Sequence, residues 1–406
     1  MAGLSINKRR FIYNTHENAE RPYYISILLK TCSKPRESVL ITNLAALVHR
    51  KLRRKMGFPI PERAAPYIIQ TAIELGILER DVYKEGFVNR WGARGYVINA
   101  IAPNDIPLGL PGDLKLLEKD RLAFLKYYLD ANGIALMYFA RRLHLEGEIV
   151  LSEFVKGKEV EVMWNNIIKD SISHTRNDKL RSEMQELLRK SRFLSGNPRA
   201  KGKTLEHIRK QKVTPHLDLL VDLGIVERSP PKLGWQEVAK YLEMKDKGLK
   251  KTTTSTQERV IYRPKQEGSI NRISTFLDIT DSSKLDGILS PQEGRYFATA
   301  AELYGIKYPR IDTEEDFGLM QKEVVRVYET IRDDVYRLAF IDSIKDIVCI
   351  NLQADKNRIC EPQDVWTTIE AMHRLSEKDV RYHRDNCGVV TYMALNDSYV
   401  RNILPS

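Results

Sequence analysis

The stretches AIELGILERDVYK (residues 72–84) and LLVDLGIVERSPPK (residues 219–232) decide the predicted fold, because they repeat one pattern. In each, an apolar helical run ends in Leu-Gly-Ile, and a strand-like segment of mixed charge follows. Gly76 and Gly224 suit the left-handed backbone that often ends a helix. A looser third copy, TIEAMHRLSEKDVRYHR, occupies residues 368–384. The chain is therefore predicted to repeat a unit in which a helix leads into a β-hairpin.

The first copy extends toward the N-terminus into a complete unit. Residues 22–31 carry apolar side chains at helical spacing, and Thr42 can cap a second helix with one apolar face. A third helix is expected over residues 62–75. It should begin nearer Ala65, because Pro66 fits only the first turn of a helix.

Hairpin strands follow in the first two copies. In the first copy, residues 77–84 and 95–102 alternate as two strands. In the second copy, a helix is expected to begin at Pro215, which suits the first helical position. Residues 225–230 and 259–264 then pair as its hairpin, although 28 residues separate them.

Further helices connect and precede these units. Residues 114–144 are predicted to form two helices between the first and second copies. Residues 324–348 indicate one or two amphipathic helices with Val335 among the inward side chains. The third copy ends in a hairpin over residues 379–395, with Asp-Asn-Cys-Gly at its turn.

Three helices followed by a two-stranded hairpin is the order of winged helix-turn-helix domains. Residues 42–100 resemble a winged-helix DNA-binding domain, and residues 204–264 are similar over a shorter length. The resemblance implies a mainly α fold with small β-hairpin wings, built from tandem winged-helix-like domains joined by helical connectors. The expected domains are residues 1–110, residues 111–265 with the connector and a basic second unit, and residues 266–406, an acidic helical part ending in a third unit.

The formal net charge of +11 is unevenly distributed along the chain. Residues 1–265 contain 48 Lys and Arg against 30 Asp and Glu, whereas residues 266–406 contain 17 against 24. Phosphate backbones attract a basic surface and are repelled by an acidic one. The basic part is therefore predicted to bind nucleic acid, with duplex DNA preferred, and the acidic part to dock a protein partner or to self-associate.

The resemblance places nucleic acid against residues 62–75, as the major-groove helix, and residues 83–96, as the wing. Most cations flank that helix, which favours contacts to phosphates over base reading. A second basic run, residues 187–217, contains a glycine-bearing loop that leads into a helix N-terminus. Trp91 is a candidate for stacking on a base. The predicted nucleic-acid-binding residues are Arg50, Lys51, Arg53, Arg54, Lys55, Arg63, Lys84, Arg90, Trp91, Arg94, Arg189, Lys190, Arg192, Arg199, Lys201, Lys203, Arg209, Lys210 and Lys212.

Motifs for catalysis or metal binding are not matched. Gly196 and Gly202 enclose five residues, whereas a phosphate-binding P-loop encloses four. A possible set of zinc ligands near the C-terminus has no standard spacing; it consists of Cys360, His373, His383 and Cys387. The acids that a nuclease would need fall at helical spacing within residues 324–348 and are expected on a solvated helix face.

The sequence thus predicts a non-enzymatic DNA-binding subunit or adaptor of a larger DNA-processing, genome-maintenance or defence complex, without cofactor or metal. An adaptor whose units dock proteins, an RNA-binding subunit and a nuclease with an unrecognised motif are the alternatives. No apolar run approaches the length of a membrane span. The four scattered cysteines favour a reducing cytoplasm, where the protein would be associated with nucleic acid. Self-association of the acidic part into a homo-oligomer is the alternative to a separate protein partner.

Overall fold

The described residues are mostly helical and form three small antiparallel sheets, which confirms the prediction of a mainly α protein with β-hairpins. These features come from a computed structural model. It describes residues 22–32, 39–40, 43–47, 50, 65–83, 86–101, 116–174, 178–189, 205–230, 259–265, 295–385 and 388–405.

In its described part, the first unit has three helices ahead of the hairpin of a three-stranded sheet. Its third helix begins at Ala65, as Pro66 predicted, and Gly76 ends it with a φ of 70°. In the sheet, β3 lies between β1 and β2 and is antiparallel to both. The elements are α1 (Pro22–Cys32), β1 (Val39–Leu40), α2 (residues 43–47), α3 (Ala65–Glu74), β2 (Leu78–Tyr83) and β3 (Gly86–Trp91).

The prediction that residues 95–102 form the second hairpin strand was wrong. The partner of β2 is β3, and the chain then enters α4 (Ala93–Ile101). Val97, Ile98 and Ile101 are buried at the spacing of one helix face. The helix packs closely on the start of β2, because a Cβ atom built on Gly95 would lie 2.6 Å from the Ile77 carbonyl oxygen.

The second unit repeats this arrangement with longer helices. In its sheet, β6 lies between β4 and β5, so the predicted pairing of β5 with β6 is confirmed despite the long separation in sequence. Gly224 ends the preceding helix with a φ of 73°. The elements are α5 (Glu118–Glu146), β4 (Ile149–Val150), α6 (Leu151–Phe154), α7 (Glu159–His174), α8 (Asp178–Arg189), α9 (Leu205–Asp222), β5 (Val226–Ser229) and β6 (Ile261–Pro264).

Two helix boundaries in the second unit differ from the prediction. One 29-residue helix, α5, replaces the two predicted connector helices. Helix α9 continues through Pro215 instead of beginning there. A proline lacks the amide N–H of the backbone ladder. Next to that gap, Nδ1 of His216 lies 3.0 Å from the Lys212 carbonyl oxygen. Residues 213–220 are all buried, so tertiary packing holds the helix across the proline.

The third unit ends in the predicted hairpin. β9 lies between β7 and β8, and Glu361 and Asp364 form a capping box at the start of α13. The predicted inward position of Val335 was wrong, because the chain turns between α11 and β7 and leaves this side chain 76% exposed. The elements are α10 (Tyr296–Tyr304), α11 (Phe317–Ile331), β7 (Ala339–Phe340), α12 (Ile341–Lys356), α13 (Pro362–Leu375), β8 (Val380–Arg384), β9 (Val390–Leu395) and α14 (Asp397–Ile403).

The three units share one strand order and one core. In each sheet the third strand lies between the first and the second, and the first strand has two residues. The buried apolar side chains of all three units form one continuous cluster. Polar contacts add to it, since α5 and α12 are joined by the ion pairs Lys126–Asp346 and Lys119–Asp355, the second at 2.6 Å. The second and third units are thereby held in a fixed relation.

Candidate nucleic-acid interface

Three of the predicted contact residues lie at the surface or near it. Arg50 and Lys210 are exposed, and Lys212 is half-buried on the same helix as Lys210, α9. An exposed ammonium or guanidinium group can neutralise a phosphate without fixed geometry. The structure therefore leaves Lys210, in the N-terminal half of α9, accessible to a polyanion.

Trp91 and Arg94, by contrast, have partners inside the protein. The Trp91 side chain is 5% exposed and packs edge-on against Tyr96, with 5.5 Å between the ring centroids. The Arg94 guanidinium donates to the Leu75 carbonyl oxygen at 2.9 Å and to the Asp130 carboxylate at 2.5 Å. The prediction that these two residues contact nucleic acid is therefore replaced by a structural role, in which Arg94 attaches the first unit to α5.

Arg209 is also a structural residue. Its side chain is buried, pairs with Glu161, and donates to the carbonyl oxygens of residues 155, 156 and 157 at 3.2 to 3.4 Å. Those three carbonyls belong to the turn between α6 and α7. The guanidinium therefore holds this turn against the start of α9 and is not available to a phosphate.

This contact places the α6–α7 turn against the start of α9, and each of these two segments carries exposed lysines. Lys156 and Lys158 lie on the α6–α7 turn, both exposed, and Lys210 is the neighbour of Arg209 on α9. The acids around the turn are each paired with an arginine; the pairs are Arg209–Glu161, Arg142–Glu159 and Arg259–Glu153. We call Lys156, Lys158 and Lys210 the turn patch. The three paired glutamates therefore leave the charge of Lys156 and Lys158 uncancelled, whereas the exposed Glu206, one helical turn before Lys210, offsets part of the charge of Lys210.

The prediction from sequence did not include Lys156 and Lys158. They stand in Val-Lys-Gly-Lys, a short basic turn with acidic residues on both sides. Only the contacts of Arg209 reveal that this turn lies against the second basic run. A glycine between two lysines could have indicated a basic turn, but the neighbouring glutamates make the local net charge of the sequence close to neutral.

The other predicted contact residues cannot be placed in this way. The backbones of Arg90 and Arg189 lie in β3 and α8, but their side chains are not described. The following lie outside the described residues: Lys51, Arg53, Arg54, Lys55, Arg63, Lys84, Lys190, Arg192, Arg199, Lys201 and Lys203.

The described part of the helix predicted to enter the groove, α3, contains no lysine or arginine. On α3, Pro66 and Tyr67 are exposed, Gln70 bonds to Glu74 at 2.8 Å, and Thr71 is buried.

The C-terminal half of α9 is interior. There, His216 stacks on Phe139 at 5.1 Å and meets Trp164 edge-on at 5.2 Å. Burial lowers the pKa of His216 to about 4, so the ring is neutral at physiological pH. This half of the helix therefore belongs to the core and not to a nucleic-acid surface.

Three of the acids that a nuclease would need have structural partners, and a cysteine considered as a zinc ligand is buried. Asp333 accepts backbone N–H groups of the following turn, whereas Asp342 pairs with Lys345 and Asp346 with Lys126. Cys360 is buried. Among the residues that the structure describes, no group of three or more His, Cys, Asp and Glu side chains could hold a metal ion.

A search of the described helices finds none with both the length and the apolar character needed to cross a membrane. Comparison with protein-family models, with curated proteins and with solved structures yields no match for this chain.

Proposed function

We propose that this protein is a non-enzymatic subunit that binds duplex DNA through its phosphate backbone, as part of a larger DNA-processing, genome-maintenance or defence complex. The turn patch is the observation that carries this proposal. The α6–α7 turn, with Lys156 and Lys158, lies against the start of α9, which carries Lys210. All three lysines are exposed, the glutamates of the turn are paired with arginines, and the exposed Glu206 of α9 offsets part of the charge. Phosphate neutralisation by such lysines supplies affinity without requiring base recognition.

The repeated architecture supports the same function. A short strand, helices and a hairpin recur three times with one strand order, and a hairpin that follows helices is the part of this pattern that tandem winged-helix-like units share. Helix α3, however, exposes Pro66 and Tyr67 rather than cations. In this proposal the protein therefore follows the backbone of the duplex and does not read its sequence through α3.

The acidic third is proposed to hold a protein partner. Part of its negative charge is used within the molecule, because Asp346 and Asp355 pair with lysines of α5. Glu314, Glu315 and Asp334 are exposed. These side chains suit a partner with a basic surface, which charge complementarity would steer.

The test is DNA binding by the full chain and by two matched variants. One variant removes the turn patch (Lys156→Ala, Lys158→Ala and Lys210→Ala together). The control removes three exposed lysines of the third unit (Lys307→Ala, Lys322→Ala and Lys356→Ala together), which is the same change in charge.

Fluorescence anisotropy with a labelled duplex, over a series of salt concentrations, measures both affinity and salt dependence. We expect the turn-patch variant to bind more weakly. The slope of log K against log salt should become shallower by about 0.9 for each phosphate that the variant no longer neutralises. The control should bind like the wild type. Equal weakening in both variants would show that net charge, and not this patch, governs binding.

A protein adaptor is the second candidate function, and the surface of α3 favours it. The exposed side chains of this helix, Pro66 and Tyr67, are apolar or aromatic, and Ile73 is half-buried on the same helix. Such a surface suits a protein partner better than a phosphate backbone. If the wild-type chain binds no nucleic acid at low salt, this function becomes the better explanation.

A further inference from the structure

The C-terminal hairpin carries a basic surface that the net charge of the acidic third conceals. Arg374 lies in the last turn of α13, Lys378 between α13 and β8, and Arg381 and Arg384 on β8. All four side chains are exposed, and His383 between the last two is exposed as well. We call Lys378, Arg381 and Arg384 the hairpin patch.

The cations of the hairpin patch keep their charge available. Arg381 donates to the Lys378 carbonyl oxygen at 3.2 Å and Arg384 to the Gly388 carbonyl oxygen at 2.7 Å. A carbonyl oxygen orients a guanidinium group but does not neutralise it. Among the described residues, none of the three cations has a carboxylate within ion-pair distance.

The acids near the hairpin serve local structure. Asp379 accepts from the Asn396 side-chain amide at 2.8 Å, and Asp385 accepts from the Val389 backbone N–H at 2.9 Å. Asp397 pairs with Arg337, which precedes β7. The acids thus stabilise turns and helix ends, whereas the cations project from the hairpin. Glu377 is exposed and sits between Arg374 and Lys378 in the sequence, and it offsets part of their charge.

The hairpin is also held firmly on its unit. The Tyr382 ring packs against His373, with 4.4 Å between centroids, and against Trp366, at 5.8 Å. Its hydroxyl donates to the Ile369 carbonyl oxygen at 3.1 Å. Because these contacts fix β8 on α13, the cations are presented on a rigid strand, which reduces the entropy that binding costs.

We infer that the hairpin patch is a second site for the phosphate backbone of duplex DNA. This inference rests on the proposed DNA binding and extends it to a unit whose overall charge is negative. The shared apolar cluster and the ion pairs between α5 and α12 join the third unit to the second. On a duplex that reaches both patches, contacts at one patch would raise the effective concentration of phosphates at the other.

The experiment compares the hairpin variant (Lys378→Ala, Arg381→Ala and Arg384→Ala together) with the wild type and with the Lys307, Lys322 and Lys356 control. Duplex binding is measured by anisotropy over a salt series in the full chain. We expect the hairpin variant to bind more weakly and its salt slope to fall by about 0.9 for each phosphate released, with the control unchanged. Substituting Arg381→Lys and Arg384→Lys should preserve binding, because a phosphate contact of this kind needs only the positive charge.

The outcomes separate this inference from the proposed function. If the wild type binds duplex DNA and the hairpin variant binds equally well, the hairpin site is wrong and the turn patch is unaffected. If the wild type binds no duplex, both proposals are wrong. If the hairpin variant binds RNA more weakly but keeps its affinity for DNA, the assignment to DNA is overturned. An unchanged thermal unfolding midpoint confirms that the variant is folded.

Discussion

His216 makes the stability of this protein depend on acid in a way that can be measured. The ring is 1% exposed between Phe139 and Trp164, and burial lowers its pKa from 6.5 to about 4. Between pH 4 and pH 6.5, this imidazole is mostly protonated in the unfolded chain and mostly neutral in the folded chain. The stabilisation is therefore present above pH 6.5 and is lost as the pH falls toward 4.

The size of the effect follows from the shift. A difference of about 2.5 pKa units, at about 1.4 kcal/mol for each, gives about 3 kcal/mol in total, of which about 2 kcal/mol is lost by pH 5. Replacing His216 with Phe keeps an aromatic ring in the stack and removes the titration. All other ionisable groups are common to the two proteins, so their contributions cancel in the difference.

The assay is urea unfolding of the wild type and of His216→Phe at pH 8 and pH 5. From pH 8 to pH 5, the free energy of unfolding of the wild type should fall by about 2 kcal/mol relative to that of the variant. NMR titration of the imidazole gives the pKa directly. Parallel changes in both proteins, or an imidazole that titrates near 6.5, would refute the claim that burial controls this ring.

Three further substitutions test other structural assignments. Arg209→Ala should lower the free energy of unfolding by about 2 kcal/mol, because it leaves the carbonyls of the α6–α7 turn without a donor; Lys210→Ala should change it by less than about 0.5 kcal/mol in the same urea assay. Burial raises the pKa of Glu361 to about 7, so its stabilisation is complete below pH 4.5 and is lost as the pH rises through 7. Between about pH 4.5 and 8.5, the free energy of unfolding of the wild type should therefore fall by about 3 kcal/mol relative to that of Glu361→Gln. Free energies of unfolding that change in parallel with pH would contradict the raised pKa of Glu361. Gly95→Ala should destabilise the protein by about 2 kcal/mol, because the new Cβ atom would meet a backbone oxygen. Gly318 faces open space, so Gly318→Ala should have no effect or stabilise the protein by about 0.5 kcal/mol. Calorimetry can compare the two variants.

The sequence was most informative where local chemistry dictates the backbone. Gly76 and Gly224 could be assigned to helix ends because a left-handed backbone favours glycine, and both have positive φ. The pairing of β5 with β6 followed from the position of each strand in a repeated pattern. Signals of this kind depend on a few neighbouring residues, so a single sequence can reveal them.

The sequence was less informative where tertiary packing overrides a local preference. Pro215 would normally mark a helix start, yet a buried surface holds α9 together on both sides of it. Apolar and polar side chains alternate in residues 95–102 in a way that suggests a strand. Residues 95–101 instead form part of α4, which packs closely on Ile77. Such packing depends on residues far away in the chain, which a local pattern does not contain.

In the candidate site, too, the sequence revealed local features but not tertiary contacts. Basic residues can be counted in a sequence, but their partners cannot. Arg94 and Arg209 belong to basic stretches, and each is paired with an acid from another element. Lys156 and Lys158 belong to an ordinary turn, and the fold brings them to the basic run. A net charge therefore identifies a basic region without showing which of its cations face solvent.

Binding of the duplex phosphate backbone by exposed cations can be tested through the affinity of the full wild-type chain for a labelled duplex from low to high salt. We expect log K to fall linearly with log salt, with a slope of about −3 or steeper if the three lysines of the turn patch each contact a phosphate. Absence of binding to the duplex at low salt would contradict the claim.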